Sequence, residues 1–196
     1  MASAPEGWTI GHEERRRLHL DPGPGDPEVG RWLSALADAR RDTVAELDGV
    51  TPAMIDWYPD LPLNSIGTLL YHVALIEADW VATEILGLDD PPRVLTELLP
   101  WPDRQPAETG EGRLTPIDGQ TLVAHVDRLA AVRAWAVARL EPMTNADLHR
   151  ERKLPAYDVA PDWVFHHLLQ HEAEHRSHIA LLRDLHALTF GAPAEA

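Results

Sequence analysis

The stretch His167 to Leu182, HLLQHEAEHRSHIALL, carries histidines at positions 167, 171, 175 and 178, a recurrence of four, four and three residues. At about 100° per residue they fall within about 80° of one another, so His167, His171, His175 and His178 share one face of a helix. Leu168, Leu182 and Leu185 lie on or beside that stripe, which predicts imidazoles pointing into a helical bundle rather than into water. Two histidines one turn apart can place ring nitrogens on a single ion at about 2.0–2.1 Å, and a third ligand from elsewhere would complete a site with open positions. A partner helix bearing that ligand is therefore expected.

Reading back along the chain finds one. From Glu28 the positions Val29, Trp32, Leu33, Leu36, Arg40, Thr43, Val44 and Leu47 keep a spacing of three and four, with Arg40 as the one polar interruption, and predict a first long helix over about 27–47. Thr51-Pro52 reads as an N-cap and a proline at the first position of a short helix, before breaks at Pro59 and Pro62. A second long helix over about 65–86, capped by Asn64 or Ser65, carries Ser65, Leu69, His72, Ile76, Asp79 and Thr83 on one face, with Val73 and Trp80 alongside. His72 is the third-ligand candidate. Residues 87–116, rich in proline and glycine, read as a long crossover, with Trp101 as a loop anchor.

A third long helix follows over about 118–140, with His125 at the edge of its apolar face in a structural or surface role. Thr144 to Leu148 then forms a second short helix, and a proline-containing link leads to the fourth long helix, about 161–188. Leu47-x-x-Val50-Thr51-x-Ala53-x-Ile55 aligns with Leu140-x-x-Met143-Thr144-x-Ala146-x-Leu148, so the chain reads as two related helical hairpins. The expected fold is all-α, a four-helix bundle with a long crossover between helices 2 and 3. The domain spans 28–190, between an N-terminal extension 1–27, with a helical turn at Glu13 to Leu18, and a C-terminal tail 191–196.

Composition narrows the chemistry. A formal charge of −15 and a pI near 5.0 oppose a nucleic-acid backbone or an anionic membrane surface as partner, leaving a small-molecule substrate and allowing a homodimer. No cysteine is present, so thiolate metal sites and a protein-borne thiol nucleophile are excluded, and sulfur chemistry would require an external thiol. No apolar run approaches a membrane span and residues 1–20 lack a signal-peptide core, so the expected location is cytoplasmic. Basic residues are almost all arginine, Lys153 being the only lysine, which fits a GC-rich bacterial coding bias.

His171-Glu172-Ala173-Glu174-His175 spells the HExxH of zinc proteases, in which the Glu is general base. The context argues against that reading. The longer metzincin pattern would need His at Leu181 and Gly at His178, and after this helix only Glu195 could supply a later acidic ligand. Glu172 lies about 100° from His171, so it is expected at the surface and not as a base.

Asn64-Ser-Ile-Gly-Thr-Leu-Leu-Tyr-His72 with Trp80 eight residues on, and His171-x-x-x-His175-Arg176-x-x-Ile179, together resemble the DinB-like (damage-inducible B) superfamily, which includes bacillithiol and mycothiol S-transferase-like proteins. The resemblance covers most of 28–188. It implies a four-helix bundle holding one divalent metal through His72, His171 and His175, with His178 as a pocket or supporting residue. Three neutral imidazoles suit zinc, nickel or iron. His167 is the rival third ligand, but it shares a helix with the other two.

Three functions are then open: a metal-dependent transferase using a low-molecular-weight thiol of the mycothiol or bacillithiol type, a metal-dependent hydrolase with Asp79 or Glu172 as candidate base, and a non-catalytic metal-binding stress-response protein. Asp79 and Thr83 are candidates for orienting substrate, and Arg176 for pairing with a carboxylate.

Overall fold

The computed structural model describes residues 18–102 and 113–191. The helical turn expected at Glu13 to Leu18 and the tail after Gly191 fall largely outside them. Helix α1 runs Pro27–Ala45 and starts where Asp26, as N-cap, accepts from the Glu28 and Val29 amides, with Pro27 at the first position, where no N–H is needed. The short α2, Pro52–Ile55, follows Thr51. Helix α3, Ile66–Asp79, begins at Ser65, whose hydroxyl accepts from the Thr68 amide at 3.2 Å.

The second long helix does not end as an ordinary α-helix. Trp80–Ile85 is π-helical: the Leu86 amide reaches back five residues to the Val81 carbonyl at 3.0 Å. A wider turn leaves carbonyls short of donors, and Arg152 supplies them by donating to the Thr83 and Glu84 oxygens. The crossover is not structureless either, since it contains α4, Arg93–Leu98, which buries Leu95. Its far end is stitched to the start of α3 by the Leu114 amide on Asn64, just before the cap, and by the Ile117 amide on Thr68 in the first turn.

Helix α5, Leu122–Leu140, is capped by Thr121, and α6, Asn145–Leu148, by a reciprocal box between Thr144 and Asp147. A two-residue hairpin that the sequence reading lacks follows, β1 Arg152–Lys153 pairing antiparallel with β2 Asp158–Val159. Helix α7, Pro161–Phe190, then runs to Gly191, whose φ of 88° suits a residue without a Cβ. The fold is all-α apart from that hairpin.

Helix α3 packs against α5 and α7, and α1 packs against the same two, so α1 and α3 occupy opposite corners of a four-helix bundle. The α3–α7 contact is the pairing that a third ligand at His72 requires. Phe165, Leu36, Ile66, Leu70, Leu129 and Ile179 are among the largest fully buried side chains of the core. No helix among the described residues is long and apolar enough to cross a membrane.

Candidate metal centre

Helix α3 brings His72, and α7 brings His171 and His175, to one point. His171 Nε2 lies 3.1 Å from His72 Nε2 and 3.1 Å from His175 Nε2, and the ligand atoms of the three residues all fall within 4.8 Å of one another. A ring nitrogen offers one in-plane hydrogen or one lone pair, so His171 Nε2 cannot serve both neighbours with ordinary hydrogen bonds. Nitrogens about 2.0–2.1 Å from a shared ion would stand roughly 2.9–3.4 Å apart in octahedral or tetrahedral arrangement, a spacing that the two contacts match. The trio fits a metal ion.

His72 is buried and the other two are half-buried, so one side of the cluster faces outward. Burial, reinforced by His175, His72 and His167, pushes His171 down to about 2 and keeps it neutral, the protonation state a ligand needs. The other nitrogen of His175 is also accounted for: His175 Nδ1 lies 3.3 Å from His178 Nδ1. If His175 donates there, its Nε2 carries the lone pair turned toward the trio.

The remaining candidates lie elsewhere. His167 is held between Trp80, at 4.3 Å between ring centroids, and Trp163, on which it stacks at 5.3 Å and 7°. Its ring is 5.9 Å from that of His171, and it is not among the converging residues. Burial, then its neighbour His166, holds His167 below the ordinary range. Asp79 and Thr83 line a cleft of about 250 Å³ between the end of α3, the π-helical turn and α4, together with Leu75, Leu95 and Trp101. None of the trio lines it, and Asp79 stands two helical turns, about 10 Å along the axis, from His72. Arg176 pairs with Asp42 on α1 at 3.3 Å.

Trp101 is an anchor as expected and a cleft wall as well. Its backbone amide donates to the Tyr71 hydroxyl at 2.9 Å, that hydroxyl is 2.7 Å from the Trp101 carbonyl, and Arg128 lies over both rings. His125 is fully buried rather than at a surface.

Glu172 corrects a sequence expectation. It is buried, because the inward face of α7 runs through Val164, Phe165, Leu168, Glu172, Ile179 and Leu182, and the histidine row flanks that face instead of forming it. Its oxygens accept from Arg40 Nε at 2.6 Å and from Arg133 at 3.1 Å. Glu77 of α3 accepts from the same two arginines, from Arg40 at 2.8 Å. Arg40 and Arg133 also donate to the Leu129 and Leu36 carbonyls. Each bundle helix thus contributes one charged residue to a closed, electrically neutral cluster. Arg40 as a lone polar residue on an apolar stripe was the signal available in the sequence, since an inward guanidinium requires carboxylates.

With fold and geometry in hand, the class is a DinB-type helical bundle carrying a three-histidine cluster. The sequence matches the DinB superfamily over residues 35–179, and the chain belongs to that superfamily. It is also 34% identical over 110 residues to the PAN2-PAN3 deadenylation complex catalytic subunit pan2 of Aspergillus terreus, a similarity covering 55% of this chain and 9% of that protein. Such a small share of that protein carries nothing about what this chain does.

Proposed function

We propose that this chain binds one divalent metal ion, zinc, nickel or iron, through His72, His171 and His175, and acts as a thiol S-transferase toward a small electrophile. The observation that carries the metal reading is the convergence of three imidazole nitrogens, with 3.1 Å between neighbouring pairs. A dipositive ion there would favour thiolate over thiol in a bound low-molecular-weight thiol of the mycothiol or bacillithiol type.

The protein's own residues do the rest. His178 would orient His175, and with His171 and His175 only half-buried one side of the ion would stay open to a ligand. Trp80, His167 and Trp163 form a cluster of mutually packed rings that continues along α7 from His171, against which a substrate would lie. In the transfer, the thiol gives up its proton to solvent, its sulfur bonds to the carbon of the electrophile, and the bond from that carbon to the leaving group breaks, releasing the leaving group as an anion. The absence of cysteine makes an external thiol necessary to this chemistry.

A hydrolase is the second reading, and the placement of bases weakens it. Both Glu172 oxygens are taken by guanidinium groups, and Asp79 lines a different cleft. A binding protein whose ion is purely structural is the third. The test is metal analysis of the purified protein, then titration of the loaded protein with mycothiol, bacillithiol, glutathione and cysteine, and turnover of monochlorobimane with release of chloride. Thiol binding at or below millimolar concentration with turnover is expected. Metal without thiol binding would remove the transferase reading, and no metal would remove all three.

A further inference from the structure

The four-residue ionic cluster sits where the bundle would ordinarily have apolar packing. Between Leu168 and Ile179, the only fully buried side chain of α7 is Glu172, one residue from His171 and three from His175. On α1 the fully buried residues are Val29, Leu36 and Thr43, and Arg40 occupies the inward position between the last two. The arginine side chains are only 11% and 13% exposed, and those of Glu77 and Glu172 only 4% and 3%. All six guanidinium nitrogens donate and all four carboxylate oxygens accept.

The hydrophobic attraction is itself non-directional, whereas a two-pronged guanidinium to carboxylate pair is directional. A rotation of α7 by about 20° would sweep a ring nitrogen some 6 Å from the axis by roughly 2 Å. Metal sites tolerate about a tenth of that. Glu77 ties α3 to the same two arginines, so the histidine-bearing helices share one rotational reference.

We infer that Glu172 and Glu77, clamped by Arg40 and Arg133, are positioning residues of the histidine trio. They set the rotation of α7 and α3 so that His171 and His175 meet His72, and the affinity for the ion depends on them. This rests on the trio being a metal site. It differs from a purely structural role, because replacing a fully satisfied buried ionic cluster with apolar side chains of similar volume is often neutral for stability.

The experiment compares four proteins by competition with a chromophoric chelator for Zn(II), alongside thermal unfolding without metal: wild type, Glu172→Gln, the fourfold variant Arg40→Met, Glu77→Met, Arg133→Met and Glu172→Met, and Leu140→Ala as an apolar control at the far end of α5. Glu172→Gln and the fourfold variant are expected to bind metal at least about tenfold more weakly at a temperature where each is folded, as loss of supporting groups does elsewhere. Leu140→Ala is expected to melt lower with unchanged affinity. Folded Glu172→Gln binding within twofold of wild type would overturn the inference, as would Leu140→Ala losing as much affinity as Glu172→Gln. If the fourfold variant does not fold, the comparison of Glu172→Gln with Leu140→Ala decides alone. Failure of wild type to bind Zn(II), Ni(II) or Fe(II) would instead overturn the metal reading, and the inference with it.

Discussion

His178 Nδ1 stands 3.3 Å from His175 Nδ1, with the two residues three positions apart on α7. One of the two nitrogens must donate. Donation by His175 leaves its Nε2 as a lone pair beside His171, the tautomer a metal ligand needs. His178→Ala should therefore weaken metal binding about 10- to 100-fold without removing it, measured by chelator competition. His178→Asn, which can still accept, should recover part of the loss. Equal affinity in wild type and both variants would show that His178 does not govern the tautomer.

Removing a converging imidazole has a larger effect. His72→Ala, His171→Ala and His175→Ala should each abolish stoichiometric metal in dialysed protein. His167→Ala should keep it, because His167 is held by Trp80 and Trp163 away from the shared point. Full occupancy in His72→Ala, measured by elemental analysis, would overturn the assignment.

The ionic cluster makes an asymmetric prediction about stability. Glu77→Gln leaves two guanidinium groups facing one carboxylate in a buried place, and should lower unfolding stability by about 3–5 kcal/mol. Replacing all four members with Met should lower it by less. Urea unfolding of metal-free protein distinguishes the cases: a fourfold variant less stable than Glu77→Gln would contradict the premise that the lone charges, not the lost pairs, are what destabilise.

His125 gives the fold an acid sensitivity. Burial, with a smaller contribution from Arg128, pushes it down to about 4 from the ordinary 6.5, and its Nε2 has no hydrogen-bond partner among the described residues. Between those two values the unfolded chain takes up a proton that the folded chain refuses. Stability must therefore fall as pH drops below about 6.5 and level off, for this group, below about 4. The contribution is on the order of 3 kcal/mol for a shift from 6.5 to about 4, at about 1.4 kcal/mol per unit. His125→Phe, in metal-free protein, should flatten the decline of melting temperature between pH 7 and pH 4. An unchanged slope would place the acid sensitivity elsewhere, with His171 as the next group to test.

Periodicity, caps and breakers are properties of neighbouring residues, so the sequence by itself determined that four long helices exist, that Thr51 and Thr144 start their elements, that Asn64 or Ser65, of which the structure uses Ser65, caps the second long helix, and that His171 and His175 share a face. Periodicity placed His72 on an inward face of the second long helix, the family motifs grouped it with His171 and His175, and the α3–α7 contact brings it to them. The π-helical turn and the hairpin after α6 were not legible. Arg152 stabilises the first by donating across 68 and 69 residues of chain, and no local spacing encodes such a partner. The same limit explains Glu172. On α7 it lies only about 60° from His175, and a pattern of apolar residues does not separate stripes that close. Which one turned inward was decided by Arg40 and Arg133 on α1 and α5, 132 and 39 residues away, because a carboxylate leaves water only where guanidinium groups replace its solvent.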